Sequence, residues 1–415
     1  MESEALSARY VLGVDLGTTS VKVVLLESQS RRVLDSCALP TKADVPSDIG
    51  PHGKEQDVGR ILSTLDACIA ALPRDRLQKV IGIGVSGQMH GVVFWKAETG
   101  CEWVKHGGAH LIRPKDVSQL VTWQDGRCRG DFLSALPQPD AHLSVATGFG
   151  CATICWYRSH RPDFLADFTA AGTIQDYVVA TLCGLKRPVM SVHNAASWGY
   201  FNTCTGQWNV GLLRQVGFPV ELLPEPAESG TTAGSTSSEW HGIPAHTPVG
   251  VALGDFQCSV YSCMAGRTDA GVDLSDAIIY SRLIQAALGE SSTDLKVCPT
   301  ILGERHDTSH LGLVSNISAS NVSLGQVTRA VCRGIVNNLC SMLPPKTLLE
   351  SGVRRVMGSG SALSRNEVLR QEVERAFPLP VIYGKDVDSA AGVAMVMNDR
   401  IDLEKRGSNQ NENPS

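Results

Sequence analysis

An α/β architecture of two or three domains is what the sequence predicts, on three observations. Strand-like apolar runs alternate with stretches of helical spacing along the chain. At 415 residues the chain is too long for one ordinary core. Hydrophobic residues make up 43% against 19% charged, the mix of a folded globular protein rather than a disordered one.

The elements follow in order. Tyr10-Val-Leu-Gly-Val-Asp15 is a buried-strand run, Leu16-Gly17-Thr18 a turn, and Ser20-Val-Lys-Val-Val-Leu-Leu26 a second strand, so a β-hairpin opens the fold. A third strand is predicted over 32–39. Residues 55–72 carry Val58, Ile61, Leu62, Leu65, Cys68 and Ile69 at helical spacing, and Pro73 ends the helix. A strand over 80–85 runs into Ser86-Gly87-Gln88-Met89-His90. Glycine and proline become dense between Pro219 and Pro248, and a fresh strand over 248–253 leads through Gly254-Asp255 into a helix over 256–265. The domains are therefore placed at 1–250 and 251–400, with a polar, disordered tail at 401–415. The second domain is expected to hold helices over 324–342, 366–376 and 389–397 and a strand over 354–357.

Charge and composition exclude several classes. A net charge of −5 gives no reason to expect nucleic acid or an anionic membrane as partner. No apolar run approaches the roughly 20 residues of a membrane span. The acidic start Met1-Glu2-Ser3-Glu4 does not resemble a signal peptide, so a cytoplasmic location is expected. The 13 scattered cysteines then read as reduced thiols, and the glycosylation patterns at Asn316 and Asn321 carry little weight. His306 and His310 have metal-like spacing, but Asp307-Thr-Ser between them favours a solvated loop. Gly358-x-Gly360 lacks the third glycine of a dinucleotide fingerprint.

The strongest local signal is Gly13-Val-Asp15-Leu-Gly17-Thr18-Thr19-Ser20-Val-Lys22. A strand delivers Asp15 to a turn whose backbone N–H groups can hold phosphate oxygens, while the carboxylate can hold Mg²⁺. It is not a Walker A loop, and by itself it could equally be a plain hairpin turn.

It does not stand alone. This segment resembles the first phosphate-binding element of the actin, Hsp70 and sugar-kinase superfamily. Ser86-Gly87-Gln88-Met89-His90-Gly91 is similar to the sugar-contacting segment of ketose-specific FGGY carbohydrate kinases, and Thr122-Trp123-Gln124-Asp125-Gly126-Arg127 to a further family segment with Gln for Asn. Asp176-Tyr177 matches the Lys-Asp-Tyr segment with Gln175 for Lys. Gly254-Asp255 falls where the family keeps its catalytic aspartate, and Gly358-Ser-Gly-Ser-Ala-Leu-Ser-Arg-Asn366 resembles its glycine-rich adenosine site. Six matches in the family's order make chance a poor explanation.

The resemblance implies a two-domain actin-like ATPase (ribonuclease H-like) fold. It implies ATP-dependent phosphorylation of a ketose: sedoheptulose to its 7-phosphate, feeding the pentose phosphate pathway, with xylulose as the alternative. ATP and Mg²⁺ are then the cofactors, and the partners are small molecules. Asp255 would be the catalytic base, with Asp15 and Asp255 as metal ligands. Asp15, Gly17, Thr18, Thr19, Ser20, Lys22, Gly358, Gly360, Ser361 and Asn366 would bind nucleotide and phosphate. Gln88, Met89, His90, Trp123, Asp125 and Asp176 would bind the sugar. Trp123, Met89 and His90 could also be interior residues, and Arg127 could brace Asp125.

The chain departs from the family at one place. After the helix that follows Asp255, the family has a second hairpin whose Ser/Thr turn faces the ATP phosphates. Between Cys263 and Gly303 no such strand–turn–strand is legible, and a helix over 275–288 follows directly. The expectation is an internal deletion near Ala270-Gly271, leaving the second domain short of central strands, so that a sugar-binding but catalytically impaired form is the alternative reading.

Overall fold

The run Tyr10–Leu16 is buried along both of its faces, as a strand covered on both sides requires, and it forms β1. The computed structural model describes residues 8–411 apart from 107, 142–143, 264–268, 274–283, 285, 301–309, 360–361, 364–365 and 384–388. β1 turns through Gly17-Thr18-Thr19 into antiparallel β2 (Ser20–Glu27), and β3 (Val33–Pro40) continues the meander. The helix expected over 55–72 forms as α1 (Val58–Ala70). It starts late because the Asp57 carboxylate accepts from the Arg60 N–H at 2.9 Å and caps it there. Glu55–Gln56 instead pair with Leu120–Val121 as short strands.

β4 (Val80–Gly87) lies parallel beside β1. After α2 (Gly150–His160), α3 (Ile174–Cys183) and α4 (Val192–Trp198), the chain returns to the sheet. It does so with β5 (Thr232–Ser235), β6 (Pro248–Gly250) and β7 (Leu253–Gly254), and α5 (Asp255–Cys263) follows. The order is β5-β6-β4-β1-β2-β3, with β7 also parallel to β4.

One face of this sheet buries Leu12, Val14, Val23 and Leu25 against Ile61, Leu62 and Leu65 of α1 and Tyr177 and Val178 of α3. The other buries Val11, Val24 and Leu26 against Ala390, Ala394, Met397 and Ile401 of the C-terminal helix Ser389–Asn411. That helix lies close because the sheet offers glycines. A Cβ on Gly13 would stand 2.0 Å from the Ala390 carbonyl oxygen, and one on Gly84 would stand 2.5 Å from that of Val393.

The first compact unit is therefore Met1–Cys258 with Ser389–Ser415, and the second is Ser259–Asp388. This differs from the expected division in two respects. The C-terminal helix belongs with the first unit, and it runs through 401–411, where a disordered tail was expected. Ile401, only 8% exposed, carries its packing against the first sheet past residue 400.

In the second unit β8 (Asp269–Asp273), β9 (Arg355–Ser359) and β10 (Val381–Tyr383) form a parallel three-stranded sheet in the order β8-β9-β10. α6 (Leu324–Met342) and α7 (Glu367–Ala376) bury Val336, Val368, Leu369 and Val373 with Val356. Inside this core, Arg329 donates to Glu372 at 2.8 Å, with both side chains 2% exposed. β8 runs through Ala270-Gly271, where the sequence showed no apolar strand; pairing along β9 overrides the weak local propensity. Of the helix expected over 275–288, Ile284 and residues 286–288 are helical and the remainder lies outside the described residues. Among the described residues, no antiparallel hairpin extends the β8-β9-β10 sheet. Leu311, Leu313, Ile317 and Leu324 are each more than half exposed, a concentration of open apolar surface that the first unit does not share. No helix among the described residues is long and apolar enough to cross a membrane.

Candidate functional site

Three parallel strands end side by side in the first unit. In their register Asp15 of β1 is level with Ser86 of β4, and Ser86 is level with Leu253 of β7. With strands about 4.8 Å apart, this puts Asp15 and the Gly254-Asp255 corner about 10 Å apart across the sheet end. Lys22 of β2 is the cross-strand neighbour of Asp15 on its other side. The Ser86 hydroxyl donates to Asp15 Oδ1 at 2.9 Å.

Asp255 opens α5, where a carboxylate is favoured by the helix dipole, and its Oδ1 accepts from the Phe256 N–H at 2.8 Å. The Ser389 hydroxyl donates to the Asp255 carbonyl at 3.0 Å. Cys258, one turn into α5, is buried and feels the charge of both carboxylates. Burial first, then Asp15 and Asp255, push that thiol's pKa well up, against a hydrogen bond with Ser86.

The Gly17–Thr19 turn and the Gln88–His90 segment are tied together. The Trp123 indole N–H donates to Thr18 Oγ1 at 2.9 Å, and the Thr18 hydroxyl lies 3.5 Å from Gln88 Oε1. Gln56, which sequence reasoning passed over, links them again. Its amide donates to the Thr18 carbonyl at 2.7 Å, and its Oε1 accepts from Gln88 Nε2 at 3.0 Å. Gly17 closes the turn with no room to spare, since a Cβ there would lie 3.0 Å from the Ser20 carbonyl. Thr19 and Ser20 are exposed.

His90 is held in a left-handed conformation at φ 70°. Its ring stacks on Phe149 at 4.8 Å, and its Nδ1 donates to the Ser197 carbonyl at 2.7 Å, which makes Nε2 the acceptor in the neutral ring. The partners come from the start of α2 and the end of α4. Met89 sits over Gly254, where a Cβ would meet its Sδ at 2.6 Å and Gln257 Oε1 at 2.1 Å. Gln175 ties the strand ends together from below, donating to the Gly87 carbonyl at 3.2 Å and lying 3.5 Å from that of Leu253.

Two residues expected to grip sugar face inward. Asp125 is fully buried, and its four acceptor positions are filled. Oδ1 accepts from Arg127 N at 2.9 Å and Arg127 Nε at 2.8 Å, and Oδ2 from Lys54 N at 2.8 Å and Arg127 NH2 at 3.0 Å. In this conformation it has no oxygen left for a hydroxyl and serves as a brace. Arg127 also donates to Glu55 at 2.7 Å. Burial alone would lower the guanidinium's pKa, but its bonds to Asp125 and Glu55 raise it.

Asp176 closes a capping box at the start of α3. Its Oδ2 accepts from Thr173 N at 2.9 Å and Thr173 Oγ1 at 2.6 Å. Burial pushes its pKa up to about 7, although the Thr173 bonds pull it down. A carboxyl that holds its proton better folded than unfolded makes stability fall as pH rises between its unfolded value near 4 and about 7. The slope is at most about 1.4 kcal/mol per pH unit. Asp176→Asn should flatten the decline in melting temperature between pH 5 and pH 7.5. An unchanged slope would show that Asp176 is ionised throughout.

In the second unit Gly358 is the penultimate residue of β9, where a Cβ would lie 2.8 Å from the Tyr383 ring. Asn366 caps α7, accepting from the Leu369 N–H at 2.9 Å. Gly360 and Ser361 lie outside the described residues, as does His306.

The comparisons agree with one another. Human (Homo sapiens) sedoheptulokinase is 52% identical over 461 aligned residues, covering 93% of this chain and 96% of the relative. The mouse (Mus musculus) sedoheptulokinase is 51% identical, covering 95% and 98%. An alignment of 461 positions exceeds the 415 residues of the chain, so the human protein carries positions with no counterpart here. The crystal structure of gluconate kinase from Lactobacillus acidophilus superposes with a TM-score of 0.73 at 17% identity, over 96% of this chain and 90% of that one. That likeness establishes the actin-like, ribonuclease H-like fold. The model of the N-terminal domain of the FGGY family of carbohydrate kinases matches residues 10–107 and 109–262, and with relatives more than half identical along nearly its whole length, the chain belongs to that family.

Proposed function

We propose that this protein transfers the terminal phosphoryl group of ATP to the terminal hydroxyl of sedoheptulose, giving sedoheptulose 7-phosphate. The observation that carries the reading is that Asp15 at the end of β1 and Asp255 at the β7–α5 corner flank the end of β4, from which the Gln88-Met89-His90 segment leads off. Two sedoheptulokinases more than half identical to the chain favour sedoheptulose over xylulose.

Phosphoryl transfer needs positioning, neutralised charge and one group to take the hydroxyl proton. Asp255 is that base. Asp15 and Asp255 are hard oxygen donors that suit Mg²⁺, which neutralises phosphate charge when bound. Among the described residues no group of three or more His, Cys, Asp or Glu could hold a metal, so phosphates and water would complete its shell. Lys22, Thr19, Ser20 and the amides of the Gly17–Thr19 turn would hold phosphate, with Thr18 orienting Trp123. His90, Gln88, Met89 and Trp123 would read the ketose, on a scaffold held by Asp125, Arg127 and Asp176. Gly358, Gly360, Ser361 and Asn366 would hold adenosine. Substrate and nucleotide are the partners this reading requires.

Formation of sedoheptulose 7-phosphate in the presence of ATP and Mg²⁺, with xylulose run beside it, tests the assignment. Within it, His90→Ala should raise KM for the ketose about tenfold or more while leaving KM for ATP nearly unchanged. Equal shifts in both would make His90 a packing residue.

A second reading concerns this 415-residue form. The unmatched positions of its relatives and the open leucines of the second unit favour loss of the second phosphate-facing hairpin. ATP gripped from one domain only should bind weakly and transfer poorly. The form should therefore phosphorylate sedoheptulose far more slowly than one with the hairpin restored, and its 259–388 region should exchange amides faster than β1–β4. Comparable activity would mean that residues 272–279 supply the second turn.

A further inference from the structure

The second unit carries a side-chain cluster that phosphoryl transfer does not use. Strand Lys296–Cys298 pairs antiparallel with Leu313–Ser315, Cys298 standing opposite Leu313. Just beyond the pairing, Cys298 Sγ lies 3.2 Å from Thr300 Oγ1 and 3.5 Å from His310 Nε2. The thiol is partly exposed and the imidazole exposed. Lys296, two residues back, projects from the same face of the strand and adds positive charge.

A hydroxyl donor and a histidine on one sulfur are what favours thiolate over thiol. The direction of titration agrees: the Thr300 hydrogen bond first, then His310, lower the Cys298 pKa. Elsewhere the buried thiols of Cys128, Cys151, Cys155 and Cys258 are pushed up by burial and are correspondingly inert.

We propose that Cys298, with His310 and Thr300, forms an activated thiol that hydrogen peroxide oxidises to a sulfenic acid ahead of the other cysteines of this chain. His310 takes the thiol proton. The thiolate sulfur attacks one peroxide oxygen, forming the S–O bond as the O–O bond breaks. The departing hydroxide takes the proton back from the His310 imidazolium and leaves as water, so sulfur is oxidised and peroxide reduced. The product is a cysteine that a second thiol can convert to a mixed disulfide.

The test treats the reduced full-length chain with less than one equivalent of hydrogen peroxide in the presence of dimedone, and quantifies each cysteine by mass spectrometry. Cys298 should carry about tenfold more label than Cys204, which is exposed, following the larger thiolate fraction. His310→Ala should bring Cys298 down to the Cys204 level, and the isosteric Thr300→Val should lower it part of the way. Label at Cys332, which is buried, reports any variant that opens the unit. Equal labelling of Cys204 and Cys298 in the unaltered chain overturns the proposal whatever the variants do. Undiminished Cys298 label in a folded His310→Ala protein overturns it as well.

Discussion

Asp255→Asn should lower turnover by about two orders of magnitude or more, with ketose affinity and melting temperature close to those of the parent protein. The substitution keeps an oxygen at the start of α5 that can still accept from the Phe256 N–H, so the first turn of the helix loses little. On the proposed mechanism, what is lost is the group that takes the proton from the sugar hydroxyl as the phosphoryl group arrives. The measurement belongs in the hairpin-restored form, where the baseline is highest, with sugar binding followed by calorimetry. Turnover within a few-fold of the parent would remove Asp255 from the role of base. A large fall in ketose affinity would make it a binding residue instead.

Arg127→Met should destabilise the first unit by about 3–5 kcal/mol, the range found when one partner of a buried ion pair is removed. The Arg127 side chain is 1% exposed and that of Asp125 0%, so solvent cannot replace the lost guanidinium. The group is enclosed from the other side too, its carbon centre lying 4.9 Å from the Tyr157 ring and 5.2 Å from that of Trp156. Met fills comparable space but leaves Asp125 and Glu55 facing no cation. Pairing Arg127→Met with Asp125→Leu should recover much of the loss, because the carboxylate left unpaired is then gone as well. Denaturant unfolding of the single and double variants decides the matter. A single-variant cost under about 1 kcal/mol would mean that water reaches the pair, and that Asp125 is accessible to a sugar after all.

The two predictions separate kinds of carboxylate that the primary structure presents alike. Asp15, Asp125, Asp176 and Asp255 each stand in a short motif beside glycine, threonine or an aromatic residue, and each was expected to meet substrate or metal. Asp15 and Asp255 stand at the same end of the sheet, on the two strands that flank β4, a position a strand-and-turn pattern can foresee. Asp125 and Asp176 turn inward to Arg127 and Thr173. Exposure is a property of what packs over a residue, and no local pattern carries it.

By itself the sequence determined the opening hairpin, the helix after it and the order of the motifs, because each rests on local periodicity, turn chemistry or wording within a few residues. Only the tertiary structure decided where distant pieces meet. The C-terminal helix returns to the first sheet because Gly13 and Gly84 leave room for its backbone at Ala390 and Val393, a complementarity between segments hundreds of positions apart. Gln56 joins Thr18 to Gln88 for the same kind of reason: two residues ahead of the first full helix turn, pairing with Leu120–Val121 holds it in a strand, where its buried amide must find partners. Periodicity can be read one segment at a time, whereas burial and the satisfaction of buried polar groups depend on every segment that packs around them.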